Sequence, residues 1–252
     1  MTLRRIEDGW RQYTPSVALH WDDLIDWDRR KHGEGDFFLR LFRQRGCRRI
    51  LDAACGTGFN SVRLLSEGFE VVSLDGSESM LKKAEANARD AGVALQAVRA
   101  DWRDMARIFP PDSFDAIEFL GNSFTHLFDH RDRRHVMGGL FGLLKKGGVL
   151  AIDHRNYDQI LDVGYSSKHK FVYCGRTFNV TPVKRSEGHV RMAYFGTKGR
   201  WFTDLYPIRK KEMLELMQEA GFSHVASYGD YQKRYGKYDA DYIQHVAVKP
   251  RR

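Results

Sequence analysis

The run Arg49-Ile50-Leu51-Asp52-Ala53-Ala54-Cys55-Gly56-Thr57-Gly58 constrains the fold more than any other part of the chain. An apolar stretch ends at an acid and then at two glycines one residue apart. A helical pattern follows, with Val62, Leu64 and Leu65 on its inner side, until Gly68 stops it. This is a buried strand, a tight turn and a helix. Glycines in such a turn let a ligand approach the backbone, and the next helix presents unpaired N–H groups at its start. The same turn also serves as a plain connection, so on its own it identifies no ligand. Asn60 and Ser61 stand where the third glycine of a dinucleotide fingerprint is expected, and no Gly-Lys-Ser/Thr follows, which excludes a P-loop.

The unit repeats. Residues 70–74 read as a second strand ending at Asp75, and Ser77 can cap a helix that runs to about Asp90 and closes at Gly92. A strand over 94–98 leads to Asp101-Trp102. After a turn at Pro110-Pro111 come a strand over 114–120, a helix over 131–145, the pair Gly147-Gly148, and a fifth strand over 149–153. Strands alternating with helices predict a parallel sheet covered on both faces. Ahead of it, 16–27 and 36–45 carry helical patterns. After His154 the rhythm changes: 170–173, 190–195 and 201–206 are short, aromatic-rich and alternating, and read as antiparallel strands. A helix over 209–220 and strands near 222–230 and 241–248 then return to the main sheet.

The expected fold class is therefore α/β: a doubly wound, mostly parallel, Rossmann-like sheet with a small antiparallel β insertion as a lid. A chain of 252 residues suits one such domain. Within 1–252 we expect an N-terminal helical segment (1–46), a cofactor-binding core (47–155), the lid insertion (156–208) and a C-terminal part that completes the sheet (209–252).

Composition narrows the setting. With 42% hydrophobic and 29% charged residues the chain is globular rather than disordered or fibrous. Charges interrupt every long apolar stretch, so no transmembrane helix is expected, and Met1-Thr2-Leu3-Arg4-Arg5-Ile6-Glu7-Asp8 lacks the apolar core of a signal peptide. Cys47, Cys55 and Cys174 are scattered, which points to reduced thiols and the cytoplasm. The net charge of +8 is spread beside acids, as in Asp28-Arg29-Arg30-Lys31, and forms no basic and aromatic stripe, so we expect a solubilising surface and no nucleic-acid partner. No Asp/Asn constellation suggests a metal.

Ligands of doubly wound sheets sit beyond the carboxyl ends of the strands. Asp75, at the second strand end, can accept both hydroxyls of a ribose, and Asp101-Trp102, at the third, could grip adenine. With the glycine turn, three strand ends then converge on one nucleoside-bearing ligand. This pattern resembles the class I S-adenosylmethionine-dependent methyltransferases over essentially all of 47–250. Leu120-Gly121-Asn122-Ser123-Phe124-Thr125-His126-Leu127 and Asp153-His154-Arg155-Asn156-Tyr157-Asp158-Gln159-Ile160-Leu161 are similar to signature segments of the glycine N-methyltransferases. Further runs resemble the bacterial glycine/sarcosine N-methyltransferases of betaine synthesis: Trp21-Asp22-Asp23-Leu24-Ile25-Asp26-Trp27-Asp28-Arg29-Arg30, Ser166-Ser167-Lys168-His169, Tyr173-Cys174-Gly175 and Tyr228-Gly229-Asp230.

The resemblance implies S-adenosylmethionine as cofactor and a small amino acid as substrate, in a monomer or small homo-oligomer. It places Tyr13 and Arg30 near the methionine end of the cofactor, where a guanidinium can bind its carboxylate. Ala54, Gly56 and Gly58 form the glycine turn, Asp75 is the ribose acid, and Asp101 with Trp102 is the adenine clamp. Met80, Leu120 and His126 flank the cofactor. For the acceptor it implies Arg155 as carboxylate anchor, Asn122 as the residue orienting glycine, and Tyr173 and Tyr194 around the amine and the sulfonium. Tyr206 and Tyr242 could join them or serve as core aromatics. Arg155 could otherwise form an ion pair with Asp153 or Asp158. Two features differ from the relatives: the segment before Trp21 is short, and the basic balance is unlike the acidic surfaces of proteins from salt-loving cells. The fourth strand ends in Leu-Gly-Asn-Ser-Phe rather than the Asn/Asp-Pro-Pro-Tyr/Phe loop that grips a flipped base.

Overall fold

In the computed structural model, which describes residues 9–251, the strand that leads into the glycine turn, β1 (Arg49–Asp52), lies at the centre of a seven-stranded sheet. β2 (Glu70–Asp75) and β3 (Gln96–Arg99) extend the sheet on one side. β4 (Phe114–Phe119) and β5 (Leu144–Arg155) extend it on the other. These five strands are parallel, with Ile50 opposite both Val71 and Ala116. The two latest strands of this sheet, β9 (Ser223–Gly229) and β10 (Tyr242–Val248), join the far edge. β10 runs antiparallel between β5 and β9, placing Tyr242 opposite Arg155.

Period-2 alternation divides the core between the two faces of the sheet. Leu51, Val72, Ile117, Leu150 and Ile152 point to one face and pack under α5 (Glu78–Asp90) and α7 (His130–Leu143). Ile50, Val71, Ala116, Val149 and Ala151 point to the other, against α3 (Phe37–Gln44) and α4 (Phe59–Ser66). Chain order reverses between β1 and β4, and the crevice beyond their carboxyl ends is the topological switch point where such sheets bind ligands.

The expected helix over 16–27 is divided. α1 (Pro15–Ile25) stops at Asp26, which takes a left-handed conformation (φ 54°) while its carboxylate caps the Arg29 N–H of α2 (Trp27–Glu34). The small antiparallel sheet is present as β6 (Phe178–Ser186), β7 (His189–Gly196) and β8 (Gly199–Leu205), in that order. It lies in the chain between α8 (Tyr157–Asp162) and α9 (Lys210–Glu219).

One expected strand is not there. Residues 170–173 form an irregular loop, because the N–H groups just after it donate to a helix end: Cys174 to the carbonyl of Ile25 at 3.2 Å and Gly175 to that of Leu24 at 2.8 Å. The first strand of the small sheet is instead 178–186, an edge strand that tolerates Pro182 at a register shift.

Candidate active site

A cleft opens at the switch point. Its floor is the glycine turn. Gly58, at φ 92°, begins α4, and a Cβ there would stand 3.1 Å from the Ala84 Cβ, so only glycine lets α4 and α5 approach this closely. The turn is tied to the N-terminal helices. Thr57 Oγ1 donates to Asp22 at 2.6 Å, and the Asn87 amide donates to the other oxygen of the same carboxylate at 2.9 Å.

Asp75 closes one wall. Its carboxylate accepts the N–H groups of Gly56 (2.9 Å) and Ser77 (2.8 Å), which aims its remaining lone pairs into the cleft. Burial outweighs these bonds and pushes its carboxyl up to about 6. The Trp102 indole N–H donates to the Ala53 carbonyl at 2.7 Å, so only the ring of Trp102 is left for a ligand.

Opposite, Arg30 is 4% exposed and reaches the cleft with its guanidinium 4.5 Å from the Phe59 ring centroid. Its Nε stands 3.8 Å from Glu34, a long ion pair, and has no hydrogen-bond partner. Burial raises Glu34 to about 7 against the lowering effect of Arg30 and Arg63. A buried guanidinium so thinly paired can take an incoming carboxylate.

Tyr13 and His126 meet at 2.8 Å. Burial pushes His126 down to about 4, so the imidazole is neutral. Gln12 settles its tautomer. The Gln12 Oε1 accepts the Asp204 N–H at 2.5 Å, so its amide nitrogen faces His126 Nδ1 at 3.3 Å and donates to it. His126 Nε2–H then donates to the Tyr13 hydroxyl, which leaves the phenol proton free for another acceptor.

Beyond the cleft, around the end of β5, lies a second group of polar atoms. The Arg155 guanidinium stands 4.8 Å from the Tyr173 ring, 5.3 Å from Tyr242 and 5.9 Å from Tyr165. Its Nε and Nη2 are buried without a partner, as are the hydroxyls of Tyr165 and Tyr242. The alternative ion pair does not form. Asp158 binds Arg209 at 2.9 Å, and Asp153 accepts the Asn122 N–H at 2.7 Å. Buried unpaired donors are costly, and the chemistry of this cluster suits an anion.

Of the residues singled out in the sequence, Tyr13, Arg30, Ala54, Gly56, Asp75, Met80, Trp102, Leu120, His126 and Tyr173 line the cleft. Gly58 supports it from the start of α4. Tyr194 packs on Tyr173 with ring centroids 5.5 Å apart. Asp101 does not reach the main cleft; with Trp102 it borders an adjoining recess. Its carboxylate takes two bonds from the Arg103 side chain (2.8 and 2.7 Å) and one from the Trp10 indole. Asn122 turns inward rather than toward the cleft: its Oδ1 accepts the Arg155 N–H at 2.9 Å and its amide nitrogen meets the Tyr157 hydroxyl at 3.1 Å. Tyr206 lies apart, with the Arg133 guanidinium 3.7 Å over its ring. Sequence reasoning missed Trp10, Trp21 and Tyr165 as site residues. Trp21 sits in a run already noted for its family resemblance, whereas nothing local marks Trp10 or Tyr165.

A glycine turn, an acid at the end of the second strand and a switch-point cleft on a 3-2-1-4-5 sheet completed by antiparallel β10 and by β9 define a class I methyltransferase. A family model described as a methyltransferase domain matches residues 50–148. The chain is 47% identical over 239 residues to the glycine/sarcosine N-methyltransferase of Halorhodospira halochloris, covering 94% of this chain and 89% of the relative. To the enzyme of the same name from Aphanothece halophytica it is 42% identical, covering 94% and 90%. It is 47% identical to the glycine/sarcosine/dimethylglycine N-methyltransferase of Actinopolyspora halophila across 99% of this chain, but spans only 44% of that longer protein. Among solved structures, an S-adenosylmethionine-dependent methyltransferase from Clostridium acetobutylicum shares the fold, with a TM-score of 0.72 at 17% identity over 92% of this chain and 97% of that one. The chain belongs to the glycine/sarcosine N-methyltransferase family, and its cofactor is S-adenosylmethionine.

Proposed function

We propose that the chain methylates the amino nitrogen of glycine and/or sarcosine, giving sarcosine or dimethylglycine and S-adenosylhomocysteine. The observation that carries this reading is Arg155, whose buried, unpartnered Nε and Nη2 fit a carboxylate. S-adenosylmethionine supplies the electrophilic methyl group. Asp75 receives its ribose hydroxyls, Arg30 its carboxylate, and the ring of Trp102 its adenine, with Asp101 beside Trp102 in the adjoining recess.

The residues around Arg155 prepare the acceptor. A free amino acid carries an ammonium at neutral pH, and a dry site containing a guanidinium and a sulfonium favours its neutral form. Burial pushes the phenols of Tyr13, Tyr173 and Tyr242 well above their ordinary value. They therefore stay uncharged, and they accept the amine N–H bonds rather than act as phenolate bases. Their task is to aim the lone pair at the methyl group along the axis of displacement. Residues 156–208 close over the two ligands as a lid within a single domain.

No helix among the described residues is long and apolar enough to cross a membrane. The three buried, unpaired cysteines fit a reducing cytoplasm, in a monomer or small homo-oligomer that does not act on nucleic acid. A turnover assay with glycine, sarcosine, dimethylglycine, other small amines and nucleic acid, with products identified by mass, tests the proposal. Methylation of glycine or sarcosine supports it; turnover confined to another amine, or to nucleic acid, overturns it.

A further inference from the structure

Behind Arg155, two buried histidines meet across the sheet. His154 precedes Arg155 on β5, and His245 lies on β10. Their Nε2 atoms are 3.0 Å apart, and the rings are tilted by only 26°. The hydrogen positions follow from the partners. His154 Nδ1 stands 2.7 Å from the Arg155 carbonyl oxygen, which can only accept, so this nitrogen carries the hydrogen. His154 Nε2 is then bare and must accept from His245 Nε2–H. That leaves His245 Nδ1 as an acceptor, and the Ser227 hydroxyl donates to it at 2.9 Å. The chain of donors runs one way: Ser227 to His245, His245 to His154, His154 to the Arg155 carbonyl.

The other backbone group of Arg155 is held as well, since its N–H donates to Asn122 Oδ1 at 2.9 Å. The His154 ring also lies parallel to that of Tyr157 (18°), whose hydroxyl shares hydrogen bonds with the same asparagine. Around the imidazoles the charged neighbours are Asp158 and Lys210 for His154, and Lys210 for His245. Burial pushes His154 to about 4 and holds His245 well below its ordinary value, so both rings are neutral at neutral pH.

We propose that Ser227, His245 and His154 form a positioning relay that fixes the Arg155 peptide and thereby the direction in which its guanidinium meets the substrate carboxylate. Side chains alternate along a strand, so His154 acts through the backbone of Arg155 without touching substrate. The proposal rests on the reading of Arg155 as the carboxylate anchor.

The test compares His245→Leu, which deletes the donor, with His245→Gln, whose amide can restore it. Steady-state kinetics with glycine, calorimetry with S-adenosylhomocysteine and the thermal midpoint are measured on each. His245→Leu should raise the KM for glycine about tenfold, the scale of one net hydrogen bond, with a smaller change in kcat and cofactor affinity within about twofold of the parent. His245→Gln should recover most of the loss. Nitrogen-15 spectra of the unaltered protein should show the Nδ1–H tautomer for His154 and the Nε2–H tautomer for His245. An unchanged KM in His245→Leu, equal losses in the Leu and Gln variants, or reversed tautomers would overturn the relay. If His245→Leu does not fold, Ser227→Ala, at the half-buried outer end, together with the spectra decides: a raised glycine KM supports the relay and an unchanged one sinks it. Arg155→Lys in the same assay separates the two claims. If it leaves the KM unchanged, the anchor reading fails; if it raises the KM while His245→Leu does not, the relay alone fails.

Discussion

Asn122 and Arg155 are joined side chain to main chain across neighbouring strand ends: the Arg155 N–H donates to Asn122 Oδ1 at 2.9 Å. Asn122 itself sits in the left-handed region (φ 67°), which asparagine tolerates better than most residues. Its own N–H donates to Asp153 at 2.7 Å. The loop after β4 and the end of β5 are thus locked to each other. Asn122→Ala removes the acceptor and strands a buried N–H, which should cost about 1–3 kcal/mol of folding stability and raise the glycine KM. Denaturant unfolding beside kinetics checks both; full stability in the variant would mean the bond contributes nothing.

Arg155→Lys keeps the charge and loses the planar fork. Glycine should bind about 10- to 150-fold more weakly, the equivalent of about 1.5–3 kcal/mol for hydrogen bonds to a charged group, with cofactor affinity nearly unchanged. Equal losses of glycine and cofactor affinity would show that Arg155 serves the whole site rather than the carboxylate.

If Asp75 holds the cofactor ribose as proposed, cofactor affinity depends on pH. Its carboxyl is pushed up to about 6 by burial, and the ionised form is the one that accepts two ribose hydroxyls. Above pH 7 the group is largely ionised; as pH falls through 6 it protonates, and affinity should fall toward a limit of about tenfold per pH unit. Asp52 and Asp153, both also raised to about 6 by burial, protonate in the same range, whereas His126, near 4, stays neutral. Calorimetry with S-adenosylhomocysteine at pH 8 and pH 5.5 should show the drop in the parent, and a weaker but flatter profile in Asp75→Asn. The same pH slope in both proteins would remove Asp75 from the ribose site.

Gly58→Ala should destabilise the fold by about 1–3 kcal/mol, because alanine is strained at a positive φ and its Cβ would press on Ala84. A thermal midpoint equal to the parent's would show that α4 and α5 can separate freely.

The sheet was legible because each strand carried its own markers: apolar residues bounded by an acid or a glycine, as at 49–58 and 70–75. That Asp75, Arg30 and Trp102 line the cleft was legible for the same reason, since strand ends and a family-like run mark them locally. What failed to show was set by contacts distant in sequence. The 170–173 segment has the alternation of a strand, but the backbone just beyond it bonds to the end of α1. Asp101 carries the position of an adenine ligand, yet burial, which works to raise its pKa, is overcome by Arg103, and the carboxyl is held below its ordinary value. Asn122 looked like a substrate contact and is instead spent on the Arg155 backbone. The pairing of His154 with His245, 91 positions apart, depends on a register that only the assembled sheet supplies.

Asp75 and Arg155 stand at the ends of strands of one sheet, whereas Tyr165 and Tyr173 stand on the loop between α8 and β6 and Tyr194 on the separate small sheet. With the roles proposed for them, donor and acceptor anchors are bolted to the same rigid frame, and the gap between them is machined into the sheet. Tyr242, proposed to face the nitrogen, belongs to that frame, whereas the loop with Tyr173 and the small sheet with Tyr194 are an exchangeable jaw mounted on it. Such a chain could acquire a bulkier amine or an additional methylation by re-lining the jaw alone, without recutting the pocket that holds the methyl donor.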